Sequence, residues 1–287
     1  MKVEPYGNNL VLTGVTSFDI CQILECGQCF RFEKLGESHY RIIALGKLLE
    51  IKQEGDVITL SPCSAHEFET LWKNYFDLNR DYDKVKEIIS IDDPVMEACI
   101  DHAPGIRVLN QEFWEMVISF IISQNNRIPM IKKVIENISR SYGTEIEGGF
   151  AFPEAHQLAD VSIEDLMLLK TGFRAKYIKD AVTKSLQGQL DEDFIKPLPT
   201  PEARKQLTSV YGIGDKVADC VMLFGMGRTD VFPADVWIKR VISHLYYNGQ
   251  DIPLKELQAF AASKWGENAG LAQQYLFHYA RLNKIGT

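Results

Sequence analysis

The sequence predicts an α+β fold, in which a small antiparallel β-sheet domain with helices precedes a mainly α-helical domain containing a helix-hairpin-helix motif. Short β-branched and aromatic runs crowd residues 28–61, and helix-length apolar periodicity fills the chain beyond about Asp101. Ala103-Pro104-Gly105 lies between the region with strand-like runs and the region with helical periodicity. We therefore expect one domain over residues 1–103 and another over 104–287, with the hairpin at about 203–224.

Four runs in the first part are expected to form an antiparallel meander, because turn signals at Gly36, Gly46 and Gly55-Asp56 separate them. The runs are Cys29–Phe32, Tyr40–Ile43, Leu48–Ile51 and Val57–Leu60.

A helix is expected to follow the meander. Ser64 and Glu67 have the spacing of a capping box. An apolar stripe with helical spacing comes next, so the helix should cover one face of the sheet; its members are Phe68, Leu71, Trp72 and Tyr75.

Everything beyond the joint is expected to be helical. Two apolar stripes with a period near 3.6 residues indicate helices with one buried face each. The first stripe contains Phe113, Val117, Phe120 and Ile121, and the second contains Ile238, Val241, Ile242 and Leu245.

The composition indicates a cytoplasmic protein that makes no use of a membrane. The first twenty residues lack the pattern of a secretory signal, and the longest uncharged apolar stretch, Met116 to Ile122, is far shorter than a membrane helix. Six cysteines should therefore be reduced. Cys26 and Cys29 have CxxC spacing, but no second pair completes a four-ligand zinc site, so we interpret them as packing residues and expect no metal.

The net charge of −8 argues against a nucleic-acid partner until its distribution is considered. Residues 1–101 contain 18 acids and 10 bases, whereas residues 102–287 contain 21 of each. Two stretches of the neutral part are locally basic, Arg127 to Arg140 and Lys170 to Lys184. Each fits a solvated helix face at least as well as a phosphate track.

Gly212-Ile213-Gly214 interrupts two helical patterns with a hairpin that glycine tolerates easily, and Asp215 is placed to cap the second helix. Such a hairpin directs backbone N–H groups toward a phosphate without reading base sequence. On the glycines alone, a helix-turn-helix without special purpose is the better interpretation. Lys216 favours a functional hairpin instead. A cation in the first helical turn opposes the helix dipole and should destabilise the helix, so we expect this lysine to have a function.

The field that disfavours a charged Lys216 favours the neutral amine that a nucleophile needs. Nineteen residues later, Pro233-Ala234-Asp235 places a carboxylate at the start of the next helix. Asp235 fits an ordinary N-cap, and an ionised cap could also stabilise a cationic sugar as a glycosidic bond breaks.

The pattern Gly212-x-Gly214-x-Lys216 followed by Pro233-x-Asp235 resembles the helix-hairpin-helix DNA glycosylases, and Gly212 to Cys220 resembles their 8-oxoguanine branch. The resemblance runs nearly end to end and is to a bacterial member of the eukaryote-like branch. It implies a bifunctional glycosylase and lyase in which Lys216 is the nucleophile and Asp235 assists.

The resemblance implies further roles in recognising the flipped base. Cys26-Gly27-Gln28-Cys29-Phe30-Arg31 resembles a stretch whose glycine carbonyl accepts the N7 hydrogen of 8-oxoguanine, so Gly27 would read the damage. Cys220 would pack on one face of the base and Phe277 on the other, while Gln273 would bond its Watson–Crick edge.

The resemblance also implies contacts with duplex DNA. Asn125 would fill the space left by the flipped nucleotide, Arg174 would read the orphaned base, and Gly212 and Gly214 would meet a phosphate. The sequence departs from the eukaryotic pattern at three positions. Met130 replaces an arginine that recognises cytosine, Phe173 a tyrosine and Trp237 a histidine. Loss of the bidentate contacts of that one arginine should weaken discrimination of the opposite base by about 1–3 kcal/mol.

The implied partner is double-stranded DNA that contains an oxidised purine, bound by a monomer. No cofactor is implied, and the hairpin carbonyls leave room for a structural cation. The alternatives are an alkylated-purine glycosylase of the same superfamily and a non-catalytic DNA-binding module. Lys216 is evidence against both alternatives. No cysteine follows Cys220, which is evidence against the adenine glycosylases that hold an iron–sulfur cluster.

Overall fold

The computed structural model describes residues 1–286 and confirms the predicted α+β class. Six strands form one antiparallel sheet in the order β1-β2-β6-β5-β4-β3. Their bounds are β1 (Lys2–Tyr6), β2 (Asn9–Thr13), β3 (Phe32–Gly36), β4 (His39–Ala44), β5 (Lys47–Glu54) and β6 (Val57–Ser61). Burial alternates strictly along β4, which is what a half-buried strand with side chains on two faces requires.

The expected meander is present with two differences. Strands β1 and β2 were not predicted; β1 is exposed almost throughout and therefore shows no apolar alternation. The run Cys29–Phe32 is not a strand, because β3 begins at Phe32. Cys29 and Phe30 are instead buried in a loop, Cys29 against the sheet and Phe30 in the helical core, which explains why their apolar character imitates a strand.

The helix expected after the meander is present in three pieces: α2 (Ala65–Glu67), a π-helical turn (Phe68–Trp72) and α3 (Lys73–Tyr75). The predicted capping box joins Ser64 and Glu67. Phe68, Trp72 and Tyr75 are buried against the sheet, where they complete the smaller of two hydrophobic cores.

Helices form most of the rest of the chain. Their bounds are α1 (Ile20–Glu25), α4 (Tyr82–Ser90), α5 (Pro94–His102), α6 (Phe113–Ser123), α7 (Ile128–Tyr142), α8 (Ile163–Leu168), α9 (Ala175–Leu186), α10 (Glu192–Ile195), α11 (Thr200–Thr208), α12 (Asp215–Met226), α13 (Val236–Tyr246), α14 (Leu254–Trp265) and α15 (Ala269–Leu282). Short 3-10 turns cover Ala155–Leu158, Gly172–Arg174 and Gly266–Asn268. No helix within residues 1–286 is long and apolar enough to cross a membrane.

Helices α4 and α5 precede the expected domain joint, yet their buried side chains belong to the larger, helical core. Helix α5 packs against α15, and α4 packs against α14. The division at residue 103 stays a prediction, since these contacts join both sides of it.

Two expectations for the helical part were wrong in detail. A two-stranded hairpin of β7 (Glu145–Ile146) and β8 (Gly149–Phe150) interrupts the helices and lies against the sheet, where Arg31 donates to the Phe150 carbonyl. Helix α6 is buried nearly all round rather than along one stripe, because α7, α9 and α12 surround it. Helix α13 does bury its predicted stripe, with Ile238, Val241 and Ile242 inside.

Candidate active site

The predicted hairpin is formed by α11, a tight turn and α12. Gly212 has φ +86°, and a Cβ there would overlap the ring of Tyr177, so two independent constraints require glycine. Gly214 has ordinary φ of −96° with open space before it, so neither its backbone nor its surroundings demand glycine. Gly214 is also the N-cap of α12; the expectation that Asp215 caps the helix was wrong, because Asp215 is already its first residue.

Neighbouring elements hold the hairpin rigidly. A carboxylate oxygen of Asp180 on α9 accepts the backbone N–H of Tyr211 at 2.7 Å. Behind the turn, Arg204 of α11 donates to the buried carboxylate of Asp219 on α12 at 2.8 Å. Burial raises the pKa of Asp219 to about 6, although Arg204 opposes that shift. Both contacts fix the direction in which the first turn of α12 faces.

Lys216 lies in that first turn and is half-buried. Its Nζ lies 5.6 Å from the centroid of the Phe120 ring, which stacks on Phe224 at 5.4 Å. Cys220 occupies the next turn of the same helix face and is buried. Burial raises the pKa of its thiol to about 11, even with the Lys216 ammonium nearby, so Cys220 presents a neutral surface beside the amine.

Asp235 is the N-cap of α13, and its Oδ1 accepts the backbone N–H of Ile238 at 2.9 Å. The predicted cap is therefore present. Pro233 and Ala234 are buried before it, whereas Asp235 itself is exposed. Its second carboxylate oxygen has no hydrogen bond within residues 1–286, and Asp235 lines the same cavity as Lys216.

The residues predicted for catalysis and base recognition meet around one cavity of about 160 Å³, which we call the central pocket. Its lining combines the candidate amine and carboxylate with apolar rings and amides; it includes Cys26, Gly27, Phe30, Phe120, Lys216, Cys220, Phe224, Pro233, Asp235, Gln273, Gln274 and Phe277. These residues come from both ends of the sequence, so the pocket is a product of the whole fold.

Gly27 and Phe277 lie close together in the lining of the central pocket. Gly27 has φ +90°, and a Cβ there would lie 3.3 Å from Cε1 of Phe277. Trp237 packs edge-on against the Phe277 ring at a centroid distance of 5.0 Å. The Phe277 ring therefore contacts both Trp237 and the Gly27 backbone, and a side chain at position 27 would crowd it.

The backbone at Gly27 is held by its neighbour Gln28, which is fully buried. Nε2 of Gln28 donates to the carbonyls of Ile23 and Arg107, at 2.9 and 2.7 Å, and Oε1 accepts the N–H of Leu109 at 2.8 Å. The Gln28 carbonyl accepts from Gln111 at 2.8 Å. Burial raises the pKa of the Cys26 and Cys29 thiols to about 12 and about 11, so both flank this loop as neutral packing groups.

A larger groove of about 660 Å³, the outer groove, adjoins the pocket and shares Lys216 and Asp235 with it. Asn125 and Gly214 also line it, whereas Gly212 does not. Asn125 is exposed and has φ +48°, a backbone conformation that asparagine tolerates better than most residues.

Arg174 lies beside this groove but is buried. Its Nε donates to the Gln124 carbonyl at 2.8 Å, and one terminal nitrogen donates to the carbonyls of Gln124 and Asn125. The other terminal nitrogen donates to the Thr171 carbonyl at 3.3 Å. Three contacts thus hold the guanidinium against the Asn125 loop and a fourth joins it to Thr171, which leaves a single N–H for anything outside the protein.

The basic run from Lys170 to Lys184 does not form a continuous phosphate track. Lys179 donates to the carbonyls of Ala159 and Val161, and Lys184 pairs with Asp180. Arg174 is committed as described above. At the positions where the sequence departs from the eukaryotic pattern, Met130 and Phe173 are exposed, by 41% and 53%, on the surface next to the Asn125 loop.

The sequence-based reasoning missed Gln274, which lines the pocket beside Gln273 and is buried to the same extent, 4% exposed. A glutamine between apolar residues of a buried helix face was the available signal. Among residues 1–286, no group of three or more His, Cys, Asp or Glu side chains is arranged to hold a metal ion.

Comparison with protein families divides the chain into two matched regions. Residues 10–117 match the N-terminal domain of 8-oxoguanine DNA glycosylase. Residues 118–267 match the HhH-GPD superfamily base excision DNA repair proteins. A probable N-glycosylase/DNA lyase of Methanothermobacter thermautotrophicus is 30% identical over 260 residues, which cover 81% of this chain and 82% of that relative.

Two solved structures are similar over 99% of this chain and 99% of their own. MBOgg1 in complex with a low-affinity DNA ligand is 41% identical, with a TM-score of 0.95. The 8-oxoguanine glycosylase/lyase of Clostridium acetobutylicum, in complex with double-stranded DNA containing cytosine opposite 8-oxoguanine, is 39% identical with a TM-score of 0.95.

Proposed function

The chain belongs to the HhH-GPD superfamily of base excision DNA repair proteins, and from this premise we propose that it excises 8-oxoguanine from duplex DNA and then cleaves the strand as a lyase. The relatives named N-glycosylase/DNA lyase and 8-oxoguanine glycosylase/lyase support both activities.

One observation supports the catalytic roles proposed for Lys216 and Asp235. Lys216 and Asp235 border both the central pocket and the outer groove, so an amine and a carboxylate stand where a flipped base would join its DNA strand. Base flipping is required because the glycosidic bond is out of reach within a stacked duplex. The pocket would receive the base, and the groove would receive the backbone.

In the proposed reaction, the Lys216 amine attacks C1′ of the damaged nucleotide. The glycosidic bond breaks with its electron pair going to the base, which then takes up a proton. Asp235 stabilises the positive charge that develops on the sugar; the proposal is supported by its second carboxylate oxygen, which makes no hydrogen bond within residues 1–286. The covalent adduct becomes a Schiff base as the C1′–O4′ bond breaks and O4′ takes up the proton that the nitrogen loses. Removal of a C2′ proton then allows β-elimination, which expels the 3′ phosphate.

Recognition of the damaged base would use the walls of the central pocket. The Gly27 carbonyl would accept the N7 hydrogen that 8-oxoguanine has and guanine lacks. Cys220 and Phe277 would cover the two faces of the base, and Gln273 would bond its Watson–Crick edge. The bracing of Phe277 by Trp237 and of Gly27 by Gln28 supports this arrangement, since a recognition site must be held rigidly.

The duplex would lie along the outer groove of a protein monomer. Asn125 would fill the gap left by the flipped base, and the N–H groups around Gly212 and Gly214 would meet a phosphate. Arg174 would act on the orphaned base mainly by holding the Asn125 loop, since only one of its N–H groups is uncommitted. With Met130 and Phe173 at the adjoining surface, opposite-base discrimination should be weak.

The test uses duplexes with one 8-oxoguanine opposite each of the four bases, with base release and strand nicking scored separately. Wild type should release 8-oxoguanine opposite several bases and become covalently trapped on DNA by borohydride. Lys216→Gln should lose both trapping and release, whereas Met130→Arg should narrow the substrate range toward cytosine. Trapping of Lys216→Gln on DNA would refute the assignment of Lys216 as the nucleophile. Release of alkylated purines but not of 8-oxoguanine would refute the proposed substrate.

A further inference from the structure

Gln273 and Gln274 are consecutive buried residues in the first turns of α15, and both line the central pocket. The Nε2 of Gln274 donates a hydrogen bond to the Oε1 of Gln273 at 2.6 Å. The Oε1 of Gln274 is buried and has no hydrogen-bond partner among residues 1–286. Gln274 thus uses one half of its amide on Gln273 and leaves the other half unmet.

An unmet polar atom in a protein interior costs stability. A methionine has the same length and would fill this space without that cost. Packing therefore does not account for an amide at position 274. What the amide contributes is the N–H that it gives to Gln273.

That N–H fixes how Gln273 is oriented. A primary amide can turn by 180° about its last bond and exchange its donor and acceptor ends. Only an oxygen can receive the Gln274 N–H, so the contact holds Oε1 of Gln273 toward Gln274. The Nε2 of Gln273 makes no hydrogen bond within residues 1–286, and Oε1 retains a second lone pair. The pocket therefore meets one order of donor and acceptor while Gln274 donates, and the two amides can reverse that order only by turning together.

Guanine-type and adenine-type bases differ in the order of their hydrogen-bond donors and acceptors. Along the Watson–Crick edge, guanine-type bases present the acceptor O6 beside the donor N1–H, whereas adenine-type bases present the donor N6–H₂ beside the acceptor N1. An amide held in one orientation complements one edge and opposes the other, and a site built to bond one polar pattern rejects the wrong one strongly.

We propose that Gln274 is a positioning residue that fixes the amide of Gln273 and thereby selects guanine-type over adenine-type lesions. This inference rests on the proposed function, in which Gln273 meets the Watson–Crick edge of the flipped base. Because that function assigns a guanine lesion as substrate, the fixed order is the one that serves guanine.

A comparison of two lesions separates recognition of the Watson–Crick edge from recognition of the oxidised C8 and N7 positions. 8-Oxoguanine and 8-oxoadenine both carry the C8 oxygen and the N7 hydrogen, and they differ only along the Watson–Crick edge. Single-turnover release of each base would be measured for wild type, Gln274→Met and Gln274→Glu. A duplex with a preformed abasic site provides the control, since its cleavage uses Lys216 and involves no base.

Wild type should prefer 8-oxoguanine. Gln274→Met keeps the side-chain length but cannot donate, so the 8-oxoguanine to 8-oxoadenine ratio should fall by roughly tenfold, the effect of about one hydrogen bond. Gln274→Glu, measured at pH 8, should lower the ratio further, because a carboxylate accepts from Nε2 of Gln273 and turns Oε1 outward. Abasic-site cleavage should stay within about twofold of wild type.

A ratio that survives both substitutions, in proteins with wild-type melting temperature and abasic-site cleavage, overturns the inference alone. An equal loss of all three activities also overturns it, because that result indicates a structural role. If wild type releases no 8-oxoguanine, the proposed function fails and this inference falls with it.

Discussion

Asp235 has two assigned tasks that a single substitution can separate. It caps α13 through one carboxylate oxygen, and its other oxygen makes no hydrogen bond within residues 1–286. Asparagine caps helices about as well as aspartate but carries no charge. The capping task is therefore a matter of hydrogen bonding, and the proposed catalytic task is a matter of charge.

We expect Asp235→Asn to change the free energy of unfolding by less than about 0.5 kcal/mol while slowing 8-oxoguanine release by ~100-fold or more. Asp235→Ala should slow release similarly and also lose about 1 kcal/mol of stability, because the cap is gone. Urea unfolding and single-turnover release measure the two effects. Full activity of Asp235→Asn would show that the negative charge is unnecessary.

At the level of secondary-structure elements, the two glycines of the hairpin have different reasons to be there. Gly212 is required by its positive φ and by the Tyr177 ring behind it. Gly214 has neither constraint and faces open space at the start of α12. Its lack of a side chain leaves room for close approach of a phosphate to the helix N-terminus.

The structure therefore predicts opposite outcomes for a matched pair of variants. Gly212→Ala should lower the free energy of unfolding by about 1–3 kcal/mol, since strain and overlap add. Gly214→Ala should lower the free energy of unfolding by less than about 1 kcal/mol, the difference between glycine and alanine at an N-cap, but weaken binding to duplex DNA, measured by fluorescence anisotropy at fixed salt. Normal DNA affinity in Gly214→Ala would contradict the phosphate contact, and normal stability in Gly212→Ala would contradict the packing argument.

How far the elements could be predicted depended on local signals. Strand β4 shows alternating burial and the Ser64–Glu67 cap has a local motif, so both were found. Strand β1 is exposed and gave no periodic signal, and the apolar Cys29–Phe30 loop imitated a strand. Asp215 was mistaken for the cap of α12 because a capping aspartate and an aspartate in the first turn have the same local sequence.

The residues of the candidate site also differ in whether a local sequence signal marks them. The sequence placed Lys216 and Asp235 at the starts of helices, because glycine, proline and capping residues mark those starts. It could not reveal that Arg174 donates to carbonyls fifty positions away, nor that Gln274 bonds Gln273. Backbone carbonyls carry no sequence signature, so contacts made to them emerge only when the chain is folded.

At the level of the whole molecule, a buried ion pair joins the sheet part to the helical core. Arg31 precedes β3, and its guanidinium lies 3.6 Å from the carboxylate of Glu115 on α6. Both side chains are almost fully buried. Burial raises the pKa of Glu115 to about 7, although Arg31 opposes that shift. The pair therefore responds to pH within the physiological range.

The direction of the response follows from proton binding. Between the ordinary pKa of a glutamate and about 7, folded Glu115 holds a proton that the unfolded chain has released, so stability falls as pH rises. From pH 5.5 to pH 7.5 this group should cost on the order of 1 kcal/mol. Urea unfolding across this range measures the slope, and Glu115→Gln should flatten it. An unchanged slope in Glu115→Gln would assign the pH dependence to other groups.

The central pocket is closed by contacts between distant parts of the chain. Gly27 lies close to Phe277, and Arg281 donates to the carbonyl of Glu25 at 3.0 Å, 256 positions away. During translation, Lys216 and Asp235 leave the ribosome before α15 exists. A nascent chain therefore has its proposed nucleophile before it has the wall that would identify a damaged base. The residues proposed to give selectivity are therefore brought into the pocket last, when α15 docks.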